Sequence, residues 1–234
     1  MVRWLDPLRA ALDGAPEPVT VFFRDDDAGW RDDRLRALLD RFEAHGLPLD
    51  VAAIPRALGP RMARELLARA VPVHQHGLAH VNHEPDGRRY EFGASRPADV
   101  QRADIAAGRT LLAERLGDAV EPIFTPPWNR CTRDTGVCLA ELGFAVLSRE
   151  SRAEPLGVSG LRELSVSVDW CRLAPDAFAQ RFAAAAAPVG VMFHHAEMSD
   201  DDLDRAGELL ALLAGHERVD PQPMMAIVRA ARGP

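Results

Sequence analysis

His74, His76, His80 and His83 place four of the chain's eight histidines within ten positions. Upstream, Arg24-Asp25-Asp26-Asp27 closes the apolar run 19–23. Imidazole nitrogens and a carboxylate oxygen together make a common ligand set for zinc and similar divalent ions. His76 and His80 are four apart, so one helical turn or a tight loop can aim both at one point. The two clusters read as a hydrolytic metal site rather than a surface or core histidine cluster. Asp25 has an equally good alternative use in pairing with Arg24 or a helix N-terminus. Three further polar groups follow apolar runs: Thr125-Pro126-Pro127-Trp128-Asn129-Arg130, Asp169-Trp170 and His194-His195. His74 and His83 read as groups that support the ligands. Tyr90, Glu91 and Arg96 read as solvated loop.

The elements that must position these groups alternate along the chain. Apolar runs at 19–23, 49–54, 71–73, 120–124, 144–147, 164–168 and 189–193 read as seven strands. Helical spacing is found at 4–13, 31–45, 97–116, 134–142, 175–186, 200–214 and 223–232, and around Met62, Leu66 and Leu67. Asp200–Asp202 read as a helix N-terminal turn, and 84–96 as loop. Alternation of this kind predicts a parallel sheet covered by helices, and seven strands fit a closed or nearly closed barrel, with residues 1–234 as one domain. The polar motifs follow strands one, three, four, six and seven. In a barrel the carboxyl ends of the strands form one rim, so these motifs would share one mouth.

Composition excludes several functions. A formal charge of −7 disfavours nucleic acid and anionic membrane as partners. The chain contains no lysine, which removes a lysine Schiff base and a P-loop. Cys131, Cys138 and Cys171 are odd in number and lack CxxC spacing, as packing thiols in a reducing compartment would. There is no signal-type apolar segment and no run near the roughly 20 residues of a membrane span, which predicts a cytoplasmic protein.

The ordered motifs resemble the polysaccharide deacetylase superfamily over roughly residues 19 to 195. That resemblance implies a distorted seven-stranded parallel (β/α) barrel and one divalent metal, zinc first, with cobalt, nickel, manganese or iron as other choices. It implies Asp26 as general base and Asp27, His76 and His80 as metal ligands, or the register Asp25 and Asp26 for the aspartate pair. His194 or His195 would be the general acid, with Asp169 orienting it and raising its pKa. Trp128, Asn129, Arg130 and Trp170 would contact substrate, the tryptophans as pocket walls. The implied reaction is metal-assisted hydrolysis of an N-acylated sugar or similar small amide, releasing acetate or another small acid. Hydrolysis of a cyclic amide or ureide is an alternative, as is a catalytically silent barrel that binds carbohydrate.

This chain departs from the family pattern at three places. Thr125 stands where the family has an Arg that supports the base, Ala28 stands for the Gly after the aspartates, and Ala196 follows the strand-end histidines. A carboxylate base needs a fixed donor. A guanidinium is therefore expected within hydrogen-bond distance of Asp25 or Asp26, Arg130 being preferred over Arg24.

Overall fold

The computed structural model describes residues 3–186 and 188–231. In chain order the elements begin with helix α1 (Asp6–Asp13), strand β1 (Val19–Ala28), α2 (Asp32–Ala44), β2 (Asp50–Ala53), α3 (Pro60–Ala68) and β3 (Val73–His76). There follow α4 (Ala98–Leu116), β4 (Val120–Thr125), α5 (Arg133–Glu141), β5 (Val146–Leu147), β6 (Arg162–Glu163) and β7 (Val168–Asp169). The chain closes with α6 (Pro175–Ala183), β8 (Val189–Phe193), α7 (Asp200–Gly215), β9 (Val219–Pro221) and α8 (Met224–Ala230). The expected end of the last helix at 232 lies outside the described residues. No described helix is long and apolar enough to cross a membrane.

The chain divides into two compact units. One holds the described residues up to Asp26, Arg31–Asp50 and the described residues from Val166 on. Here β1 pairs in parallel with β8 and with β9, and β8 with β7. Its core is aromatic: Phe42 meets Phe23 at 5.2 Å and Phe193 at 5.6 Å between ring centroids, both edge-on. The aspartate run Asp200–Asp202 opens α7, where Ser199 accepts from the Asp202 amide in a capping box.

The other unit holds Asp27–Trp30 and Val51–Ser165. Its strands run β2, β3, β4, β5, β6, each pairing in parallel with the next. Phe92, Ile105, Phe124, Cys131, Cys138, Leu139 and Phe144 form one buried cluster there. Both cysteines therefore have the packing role expected of them, and burial pushes the Cys131 thiol up to about 12.

Besides shifted bounds, such as β3 at Val73–His76 for the expected 71–73, the strand pattern differs from expectation in three ways. First, β1 continues through the aspartates, because its backbone stays in register with β8 as far as Asp25 opposite Phe193. Second, the expected strand 164–168 is replaced by two short ones on either side of it. The Leu164 amide donates to Leu147 O within one unit, and the Ser167 amide donates to Gly190 O within the other. One apolar run thus serves two sets of neighbours. Third, β9 was not expected, since Val219-Asp220-Pro221 carries too little apolar periodicity to show as a strand.

Candidate active site

In the second unit, three side chains come together, two from strand ends and one from the loop after β3. Asp27 Oδ1 lies 3.2 Å from His76 Nε2 and 3.2 Å from His80 Nε2. One oxygen and two ring nitrogens lie within 4.8 Å of one another. Asp27 has φ 72°, a left-handed value that Asp tolerates better than most residues, which breaks the face alternation of β1 at its end. His76 is the last residue of β3, and its Nδ1 donates to Thr125 O at 3.0 Å. That bond takes up Nδ1 and orients the ring, leaving Nε2 toward Asp27.

A tight loop, Gly77–Ala79, returns the chain to His80, with Gly77 and His80 both at φ 58°. Its backbone is held by five hydrogen bonds from four residues. The Gly77 amide donates to Thr125 O at 3.1 Å, and Gln75 Nε2 donates to Gly77 O at 2.9 Å. Glu91 accepts from the Leu78 amide at 3.2 Å and the Ala79 amide at 2.7 Å. Arg56 N donates to Leu78 O at 3.0 Å. Thr125, where the motif resemblance implied an Arg, thus ties β4 to the histidines: its hydroxyl also meets His74 Nε2 at 2.9 Å.

Aromatic rings flank His80. Trp128 lies 4.5 Å away and Trp30 4.8 Å away, both edge-on by ring centroid. Trp128 and Asn129 have φ 56° and 59°, so the segment after Pro127 turns sharply. Asn129 is buried, and Arg130 Nη1 points to Arg89 O at 3.5 Å, while the Arg89 guanidinium lies 5.0 Å from the centre of the Trp128 ring.

The first unit carries the remaining polar residues. Arg24 Nη2 donates to Asp26 Oδ2 at 2.9 Å, and Nε lies 2.8 Å from Oδ1 as an ion-pair contact. Both side chains are buried. The donor expected near the aspartates is thus Arg24, not the preferred Arg130. The reason is strand geometry: residues i and i+2 share a face, so Arg24 and Asp26 stand side by side.

His195 is fully buried and bound twice to Asp25, through Nδ1 at 2.6 Å and its own amide at 3.0 Å. His194 is partly exposed, and its Nε2 lies 3.9 Å from Asp26 Oδ2. Asp169 accepts from the Cys171 amide at 3.0 Å, and ligand atoms of Asp169, Cys171 and His194 lie within 4.8 Å of one another. Burial raises the Asp169 carboxyl above its ordinary range, against the opposing pull of His194 and Arg172. Trp170, expected as a pocket wall, is instead a core residue: it is 7% exposed and packs against Phe178 at 5.1 Å, Phe193 at 5.8 Å and Trp4 at 5.9 Å.

Sequence reasoning missed two residues beside the histidines. Trp30 was unmarked because it follows the aspartates without a pattern of its own. Glu91 was read as solvated loop, yet it is 1% exposed. Burial pushes its carboxyl up, against the amides of Ala79 and Leu78. The one available signal was the apolar Phe92 beside it.

The donor set fits a small divalent cation. Two imidazole nitrogens at matched distance face one carboxylate oxygen, and the other nitrogen of one ring is bound to a carbonyl behind it, as in oriented metal-ligating histidines.

No protein-family model matches the chain, and no curated protein matches it in sequence. Its structure is similar to several solved ones. A protein assigned as a polysaccharide deacetylase from Mycobacterium smegmatis has a TM-score of 0.69 at 15% identity, over 94% of this chain and 92% of that one. A family 4 acetyl xylan esterase from Clostridium thermocellum, in complex with a cobalt ion, has 0.63 at 11%, over 92% and 93%. A CE4 family pseudoenzyme from Bacillus anthracis has 0.62 at 14%, over 91% and 66%. With parallel strands, intervening helices and these likenesses, the chain has the fold of the polysaccharide deacetylases, of the (β/α) barrel type.

Proposed function

We propose that this protein is a metal-dependent hydrolase that removes an acetyl or similar small acyl group from an N-acylated sugar or small amide. One observation carries the reading: successive residues of β1 are prepared differently. Asp27 faces two imidazole nitrogens at 3.2 Å, while Asp26 is held by a buried guanidinium at 2.9 Å. The first arrangement suits a cation, and the second suits a carboxylate that must keep its charge and its direction.

Asp27, His76 and His80 would hold the metal, zinc being the first choice for two nitrogens and one oxygen. When bound, the cation would polarise the substrate carbonyl and lower the pKa of water. Asp26 takes the proton of the attacking water, and Arg24 keeps that carboxylate oriented. His194 protonates the departing amine, with Asp169 beside it, their ligand atoms lying within 4.8 Å of each other. His194 suits this task because it is partly exposed and lies near Asp26, whereas His195 is buried against Asp25. Trp30 and Trp128, beside His80, offer faces on which a sugar ring or acyl methyl can pack. The products are a small carboxylic acid and a free amine. A similar cobalt-bound acetyl xylan esterase supports metal use and acyl chemistry alike.

The test is acetate release from a panel of N-acetyl sugars by protein stripped of metal and then reloaded with zinc or cobalt. Release should require the metal and should fall about 10²–10⁴-fold in Asp26→Asn. A protein that binds metal through His76 and His80 yet releases no acid from any N-acyl or cyclic amide substrate would sink the hydrolase reading. The silent carbohydrate-binding alternative would then stand.

A further inference from the structure

Glu91 lies eleven residues beyond His80, in a loop whose composition is otherwise that of a solvated connection. Its position is fixed from two sides. Phe92 is fully buried in the apolar cluster of the second unit and bridges to Cys131. Arg96 Nη1 donates to Glu91 O at 3.2 Å while its Nη2 holds Asp104 at 2.6 Å. The carboxylate is thereby driven beneath the loop between the two histidines, where each oxygen accepts one amide, from Leu78 and Ala79.

Gly77 shows that this placement is shared with the loop. A Cβ built there would lie 2.1 Å from Glu91 Oε2 and 2.7 Å and 2.8 Å from the Pro127 ring. The space a side chain at 77 would take is filled by the carboxylate and by the segment that carries Trp128. Downstream, His80 adopts φ 58°, which costs a non-glycine residue of order 1–3 kcal/mol and persists only where neighbours over-determine it. Two amides pinned on one rigid carboxylate immediately before that residue supply such a constraint.

We propose that Glu91 is the positioning residue of the metal centre: by binding the Leu78 and Ala79 amides it sets the left-handed turn at His80 and so the aim of the His80 ring at Asp27. Its effect passes through the loop backbone, by way of the Leu78 and Ala79 amides. The inference rests on the reading of Asp27, His76 and His80 as ligands, and its test separates the two.

The test uses the full chain, with cobalt(II) as the probe. Affinity is measured by chelator competition, coordination by the visible absorption bands, and loop order by hydrogen exchange of the metal-free protein. The parent should lose cobalt in His76→Ala. Glu91→Gln keeps the side chain's size but replaces one acceptor oxygen by an NH2 group facing an amide. It should lower affinity about 10–100-fold, the range for groups that orient ligands, change the cobalt spectrum, and speed exchange at Leu78 and Ala79. Gly77→Ala, which displaces the carboxylate without altering it, should give the same spectral change. Parent-like affinity and spectrum in either folded variant, with His76→Ala defective, would overturn the role of Glu91 and leave the ligand assignment intact. Undiminished affinity in His76→Ala would overturn both. Faster loop exchange with an unchanged spectrum would make Glu91 a purely structural residue and also ends the proposal.

Discussion

Asp26 and Arg24 share a buried ion pair, and at this scale each partner can be tested by removing the other. Breaking a buried pair from one side strands a charge, which costs about 3–5 kcal/mol. Arg24→Met should therefore destabilise by that amount in urea denaturation, and parent-like stability would mean that Asp26 is not held as an ion. Asp169 allows a test by pH. Its folded pKa is raised, so the folded state binds the proton more tightly than the unfolded one. Stability then falls as pH rises from the ordinary value of 3.8 through the raised value, and the contribution is most favourable at the acid end. Asp169→Asn removes that dependence. The stability of the parent minus that of the variant should decrease across this window, and a rising difference would contradict the burial reading.

The elements matter here chiefly for how closely they approach. Strand β8 carries His194 just beyond its end, and Gly190 near its start has no room for a side chain. A Cβ there would lie 2.3 Å from the Phe22 ring and 2.8 Å from the Val166 backbone. Phe22 is fully buried on the neighbouring β1, two residues before Arg24. Gly190→Ala should therefore force the strands to shift, at a cost of about 1–3 kcal/mol for overpacking, and should lower turnover more than metal affinity, because the displaced strands carry Asp26 and His194. Chemical denaturation and cobalt competition measure the two effects. Unchanged stability would show that β8 yields more easily than its burial suggests.

For the whole molecule the clearest expectation is linkage between metal and stability. Ligands presented by the folded chain and scattered in the unfolded one make binding energy into folding energy. At free metal about 100-fold above the dissociation constant the gain is about 2.7 kcal/mol. For a chain of this size that corresponds to a midpoint increase of roughly 5–10 °C. Thermal unfolding with and without a chelator tests it. No shift in the parent would mean that the folded chain holds no metal, and an equal shift in a variant lacking both His76 and His80 would place the metal elsewhere.

What the sequence determined by itself is the part that local chemistry dictates. The spacing of His76 and His80, the carboxylates at a strand end and the alternation of apolar runs with helical ones already imply a parallel α/β fold with polar groups at its strand ends. Even the Arg24–Asp26 pair was legible, since period two puts residues i and i+2 on one face, although the expected donor was Arg130 on the loop after Pro126. Tertiary structure decided what fills each face. Trp170 became core because Trp4, Phe178 and Phe193, distant in sequence, close around it. Glu91 became buried because Phe92 anchors it beneath a loop that begins fourteen residues earlier at Gly77. His194 and His195 are adjacent in sequence, yet only the approach of β1 to β8 distinguishes the buried partner of Asp25 from the imidazole near Asp26. Periodicity reports which way a side chain points, whereas its neighbours, and so its burial and charge, are set by segments the local sequence does not contain.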